Sequence, residues 1–208
     1  MSYPYLWKLR THSLAFEQIH HQLIHAEASN YQLALSEQQV LVSIPNTMVS
    51  SKMAWAQPTT PELENGKVVY KNFAPNADLV VYDKGNGNAG YDVILQPNAN
   101  IADAQFKVQH DASINDDGEL VIPISSGNIR HSAPYAYQEI DGETIEVESR
   151  FALAEGILSF EVGAYEEDYA LVIDPTITVE LFDISGSSVS ITGGNPVTAV
   201  QQVLSLFK

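Results

Sequence analysis

The chain has 208 residues, 45% hydrophobic and 17% charged, which is enough to bury a core and too apolar for a disordered segment. Ten Lys plus Arg stand against 26 Asp plus Glu, a formal net charge of -16, which repels phosphate backbones and anionic membrane surfaces and argues against nucleic acid as a partner. Cysteine is absent, so no disulfide, thiolate nucleophile or thiolate metal site exists, and no apolar run reaches the roughly 20 residues that membrane insertion requires.

The opening MSYPYLWKLR carries two basic residues, but THSLAFEQIHHQ after it is too polar for a signal-peptide core. The expectation is that the chain is not exported in this form or that its leader lies outside it. Residues 13 to 25 place Leu14, Phe16, Ile19, Leu23 and Ile24 at mixed spacing, and a short N-terminal helical segment is expected there. After Asn30 the texture alternates. Tyr31, Leu33 and Leu35 share one face, SEQQ turns the chain, and Val40, Val42 and Ile44 follow, which reads as a β-hairpin. The stretch from Asn46 to Pro61, rich in Ser, Thr and Pro, reads as a long connection.

From Lys67 onward short extended runs and polar turns succeed one another, from KVVYKN to YALVIDPTITVELFDI. Asp141-Gly142, between two such runs, is a tight-hairpin dipeptide, because a type I′ turn needs positive φ. The fold class expected is all-β, an antiparallel β-sandwich or two packed β-sheets. Beyond Gly194, Asn195 suits an N-cap, Pro196 a first helical position, and Val200, Val203, Leu204 and Phe207 recur at helical spacing, so a C-terminal helix fits residues 195 to 208. The organisation expected is an N-terminal segment over 1-65, a β-rich domain over 66-184 and a tail over 185-208, whose apolar VLSLF suggests self-association.

Gly85, Gly87 and Gly90 in DKGNGNAGYD spell the GxGxxG of dinucleotide loops. That loop works only when a helix follows and aims its N-terminal N–H groups at the pyrophosphate. Here YDVILQP follows, a strand pattern ending in Pro, so a hairpin loop is the expectation. Glu17, His21 and His25 sit four residues apart and would share one face of a helix beside His20, a spacing that suits zinc. HExxH is absent, and a polar helix surface explains the same residues. Asn115, Asp116, Asp117, Gly118 and Glu119 form an acidic turn. With Ser113 in the first place, Ser-x-Asn-x-Asp-Gly imitates the opening half of a calcium loop, but Ile124 stands where the twelfth-position Glu belongs, so an EF-hand is excluded and a β-turn is favoured, with calcium the ion the carboxylates around Asn115, Asp117 and Glu119 would take.

Glu166, Glu167 and Asp168, with Asp141, Glu143, Glu146 and Glu148, supply the paired carboxylates glycoside cleavage needs. Alternation in ETIEVES makes part of them a wet sheet face instead. No GxSxG elbow is present for another hydrolase. Tyr82, Tyr91, Tyr135, Tyr137, Tyr165 and Tyr169 are either stacking platforms for sugars or peptides, or half-buried strand filler.

The order of short motifs between Lys67 and Pro175 resembles a known family. The matching features are Tyr-Lys-Asn then Pro-x-x-Asp-Leu-Val and Tyr, the Tyr91-Asp92 strand, the Gly118 turn, Ala133-Pro134-x-x-Tyr137-Gln138, Asp141-Gly142 and Leu171-Val172-Ile173-Asp174-Pro175. They resemble the uncharacterised domain that precedes SBBP-type β-propeller repeats in large bacterial secreted and surface proteins, and SLAFEQIHHQ stands where that family has a Phe-Glu-x-Asn-x-Gly-Gln signature. The family carries no catalytic residues to transfer. The resemblance implies a noncatalytic extracellular or cell-surface module with a structural or adhesive role, with protein partners or self-association and no cofactor. The alternative is a carbohydrate-binding or glycoside-cleaving domain using the tyrosines and paired acids.

Overall fold

The computed structural model describes residues 13–28, 30–45, 50–109, 111–182 and 188–189. Among these residues the regular structure is strand, apart from one 3-10 turn at Ile101–Asp103. The first five strands are β1 (Ala15–His20), β2 (Leu23–Glu27), β3 (Gln32–Ser36), β4 (Gln39–Ser43) and β5 (Ser50–Ala54). Next come β6 (Glu62–Glu64), β7 (Lys67–Ala74), β8 (Ala77–Gly85), β9 (Asn88–Leu95), β10 (Phe106–Lys107), β11 (Ser113–Ile114) and β12 (Leu120–Ile124). The rest are β13 (Gly127–His131), β14 (Tyr135–Ile140), β15 (Glu143–Val147), β16 (Ser149–Ala154), β17 (Ile157–Val162), β18 (Leu171–Asp174), β19 (Thr176–Phe182) and β20 (Ser188–Val189).

Two antiparallel sheets result, packed as a sandwich, which is the fold class the alternation implies. The smaller runs β1-β2-β3-β4-β5-β10-β17-β16. In the larger, the meander β6-β7-β8-β9 meets β18 and β19, which lie end to end along one side of β9 on either side of Pro175. Beyond them the sheet divides, with β14 and β15 on β18, and β13, β12 and β11 on β19. Proline has no N–H to give the ladder, but its carbonyl still serves, accepting from the Tyr91 N–H at 3.1 Å.

The hairpins follow from local chemistry. Asn65-Gly66, Asn86-Gly87, Asp141-Gly142 and Glu155-Gly156 each pair two residues of positive φ, and the twist of such a turn matches that of the strands it joins. Between the sheets lies an aromatic core. The Phe106 ring stacks on Phe73 of β7, 5.3 Å centroid to centroid and 5° from parallel, and meets Trp55, Tyr91 and Phe160 edge-on at 6.2 to 6.5 Å. Phe106 and Phe160 belong to the smaller sheet, Phe73 and Tyr91 to the larger, so this cluster joins the two.

Two expectations are corrected. The helical segment expected over residues 13 to 25 is a hairpin, β1 with β2. Ile24 and Ala26 are buried and alternate with half-buried Leu23, His25 and Glu27, a period of two that lays them against Leu35 and Leu33 of β3. Pairing with a neighbouring strand outweighs the mixed local spacing. The connection expected from Asn46 to Pro61 contains β5, which pairs with β4 through Val42 opposite Ser51 and Val40 opposite Met53. The helix expected over residues 195 to 208 lies outside the described residues.

Truncating the centre of the aromatic cluster tests its place in the fold. Phe106→Ala is expected to cost about 3–5 kcal/mol in urea unfolding, the range for deleting a buried Phe, whereas Phe106→Leu costs less because it refills most of the volume. A loss below about 1 kcal/mol for the alanine variant would show that the sheets do not depend on this contact.

Candidate functional site

Alternation along the strands of the larger sheet turns one set of side chains into the core and the other outward. On the outer face, Tyr82 and Lys84 come from β8, Asp92 from β9, Asp174 from β18, and Tyr135 and Tyr137 from β14. Register brings them together, because Tyr82 lies opposite Gly90 and Tyr135 lies opposite Asp174. Gly90 is the gap in this row. A Cβ there would stand 2.9 Å from Tyr82 Cζ and 3.1 Å from Lys84 Cδ, so only glycine lets both side chains cross β9 to reach Asp174.

The Tyr82 hydroxyl oxygen is 2.8 Å from Asp174 Oδ1 and 3.0 Å from Asp92 Oδ1. Lys84 Nζ sits on both oxygens of Asp174, at 2.5 and 2.6 Å, and Lys67 Nζ lies 4.8 Å over the Tyr82 ring. A phenol has one proton to donate. With Lys84 balancing the charge on Asp174, the hydroxyl has one proton for two carboxylates while both are ionised, and both contacts are complete only below about pH 6, where a protonated Asp92 donates to Tyr82 and Tyr82 donates to Asp174. Burial, then the Asp174 charge, lift the Asp92 carboxyl to about 6 from an ordinary 3.8. Burial and the hydrogen bond to Asp174 push the Tyr82 phenol well above its usual range, so it stays a donor.

Beside this network Tyr135, 44% exposed, stacks with Tyr137 at 5.7 Å and 29°. Glu146 is exposed opposite Tyr137 and extends the row to β15. The other tyrosines differ in role. Tyr91 is buried, its hydroxyl 3.0 Å from Nδ1 of buried His131, whose imidazole burial depresses to about 4. Tyr165 is half-buried against the core, and Tyr169 is exposed at the β17–β18 connection.

The remaining candidates are dispersed. Gly85, Asn86 and Gly87 form the β8–β9 hairpin turn, braced by Asp83 Oδ1 accepting from the Gly85 N–H at 3.0 Å, and a strand follows rather than a helix. Glu17 and His25 are cross-strand partners on β1 and β2, while His21 is in the turn between those strands. Asn115 folds NDDGE into a side-chain-capped turn, its Oδ1 accepting from the N–H groups of Asp117 and Glu119 at 3.1 and 2.9 Å. Glu119 Oε2 receives Arg130 Nη1 at 3.1 Å, and Arg130 also grips Glu180 through Nε and Nη2. Among the described residues no group of three or more His, Asp or Glu is gathered as a metal site.

The acids named as possible pairs are spread over separate elements. Asp141 is a turn residue, and Glu143 and Glu146 are exposed on the edge strand β15. Glu166, Glu167 and Asp168 are exposed in a connection whose backbone is clamped by buried Gln138, which donates to the Glu166 carbonyl and accepts from its N–H, both at 2.8 Å. The grouping of Asp92, Asp174 and Lys84 around Tyr82 is what the sequence reading lacks. Its only local signal is the hairpin register, which puts Tyr82 and Asp92 on one face.

A model of the domain of unknown function DUF7948 matches residues 10–176, most of the chain, and the chain belongs to that family. No curated protein and no solved structure matches it.

The shared proton gives a measurable signature. Because the folded-state value of Asp92 is raised, its neutral form contributes stability at low pH, and that contribution fades as pH rises from 3.8 through about 6. His131 acts oppositely, losing stability as pH falls from 6.5 toward about 4. Asp92→Asn keeps a neutral donor beside Tyr82 and leaves His131 unchanged, so the comparison isolates Asp92. The variant is expected to be more stable than wild type at pH 8 and equal to it near pH 3.5, by chemical unfolding. Equal stability at both pH values would mean that Asp92 ionises freely in the folded protein.

Proposed function

We propose that this DUF7948 member is a noncatalytic module of a secreted or cell-surface protein, with a structural or adhesive role exercised through the outer face of its larger sheet. The observation that carries the reading is the make-up of that face. Exposed Tyr135, stacked on half-buried Tyr137, adjoins side chains already fixed by hydrogen bonds and an ion pair, so contact there costs little further ordering. The acids offered as catalytic pairs are spread over turns and an edge strand, and those of the β17–β18 connection are tied to a backbone clamp.

Placement outside the cell is supported by the resemblance of residues 67 to 175 to the domain preceding SBBP-type repeats. The propeller repeats themselves are absent from these 208 residues, but a cysteine-free, strongly acidic chain with a strand-built core suits an exposed position. The absence of cysteine also removes any need for oxidative folding on the way out.

The test is protease shaving of intact cells that express the complete gene product in their own host. Peptides from residues 13 to 182 are expected in the fraction released before lysis or in the medium. Recovery only after lysis, with a cytosolic marker, would overturn the reading.

A further inference from the structure

The row of side chains across the outer face has a length, a chemistry and a charge that together select one class of ligand. It runs from Tyr82 and Lys84 on β8, past Gly90 and Asp92 on β9 and Asp174 on β18, to Tyr135 and Tyr137 on β14 and Glu146 on β15. Five neighbouring strands at about 4.8 Å spacing make a stripe about 19 Å across, perpendicular to the strands. Deep insertion is not what such a stripe offers, because the core-facing side chains of these strands close it from beneath.

We infer that this stripe is a binding platform for an uncharged polysaccharide, with Tyr135 and Tyr137 stacking against sugar rings, Lys84 donating hydrogen bonds to ring hydroxyls, and Asp174 and Glu146 accepting from them. This deepens the surface-module reading and rests on it. The electron-rich face of a tyrosine ring attracts the polarised C–H face of a pyranose, and Tyr adds contact area at small conformational cost. Hydroxyls on the sugar rim both donate and accept, so they satisfy a carboxylate and an ammonium alike without separating them.

That last property distinguishes a glycan from a protein. A protein interface buries an apolar centre depleted of charge. Here the Lys84–Asp174 ion pair lies in the middle of the row, with side chains 33% and 18% exposed, and a protein surface would have to strip its remaining water. Charge decides between kinds of glycan. Asp92, Asp174, Glu139 and Glu146 on or beside the row, and the net -16 of the chain, repel sulfated or uronate polymers. Tyr135 is 44% exposed and stacks on half-buried Tyr137, and the hydrogen bonds of the Tyr82 hydroxyl run to Asp92 and Asp174, so the pair can be altered with those bonds kept.

The full chain is run in native affinity gels containing soluble neutral polysaccharides (a mixed-linkage β-glucan, a xyloglucan, a mannan and a dextran), with alginate as the anionic control. Retardation by at least one neutral polymer and none by alginate is expected, and Tyr135→Ala with Tyr137→Ala should weaken that interaction at least tenfold while leaving the melting temperature within a few degrees. Three results would overturn the proposal: no neutral polymer retards the chain, alginate alone does so, or the double variant binds as wild type. Should those substitutions instead abolish binding to a purified protein receptor while no polysaccharide binds, the platform serves a protein and the glycan assignment is wrong. A failed glycan screen leaves the surface-module reading standing if shaving releases the chain from intact cells, whereas confinement to the cytosol removes both.

Discussion

The two sheets are held in register by one ring. Phe106 lies on a strand of two residues whose ladder pairs it with β17 and, through Lys107, with β5, so this short strand joins the two halves of the smaller sheet. Its side chain reaches across to stack on Phe73 and meet Tyr91. A two-residue strand has few backbone hydrogen bonds, so its position depends on side-chain packing, and nearly parallel stacking with three edge-on neighbours fixes the ring in orientation as well as place. Tyr91 carries that order onward. Its ring faces Phe106 from β9, and on the opposite side of the same strand Gly90 and Asp92 build the outer network. The inner and outer faces of β9 are therefore one object: what fixes the strand in the core also fixes the row above it.

The outer network balances opposing costs. A carboxyl drawn into partial burial beside a second carboxylate is unfavourable when ionised, and the structure relieves this with two lysines and one shared phenol. His131, on the inner face, bears the opposite cost, because burial keeps it neutral. Their effects run against each other over nearly the same pH interval. Mild acidity therefore discharges Asp92 on the outer face while it weakens the contribution of His131 to the core.

How much of this was legible in the sequence depends on the range of the interaction that fixes each part. Asp141-Gly142 announced its hairpin because positive φ is a local demand, and the strands from Lys67 onward showed because alternation is local too. β5 did not show, since SSKMA has little strand preference and owes its conformation to the neighbour that buries Ser51 and Met53. The segment around Ile24 failed for the same reason, as burial against Leu33 and Leu35 selects a period that its own residues leave ambiguous. The site divides likewise. Tyr82 and Asp92 are related by one hairpin, but Asp174 is 92 positions from Tyr82 and reaches it only through the β9–β18 pairing. The DUF7948 match places the chain in a family without saying what the family does.

The order of strands in the smaller sheet has a consequence for how the molecule comes into being. β5 ends at Ala54, but its outer neighbour β10 begins at Phe106, and the strand that completes that sheet next to β10 lies at Ile157–Val162. The larger sheet likewise waits for β19, which ends at Phe182. Neither layer can close until those strands have been made, because β17 and β19 each pair with strands that lie far earlier in the chain. Folding must therefore be a late event with many distant pairings to make at once, slower than in a protein built from local hairpins alone. Until β10 is made, the edge of β5 has no partner, and an unpaired strand edge is where a folding chain is most open to wrong pairing.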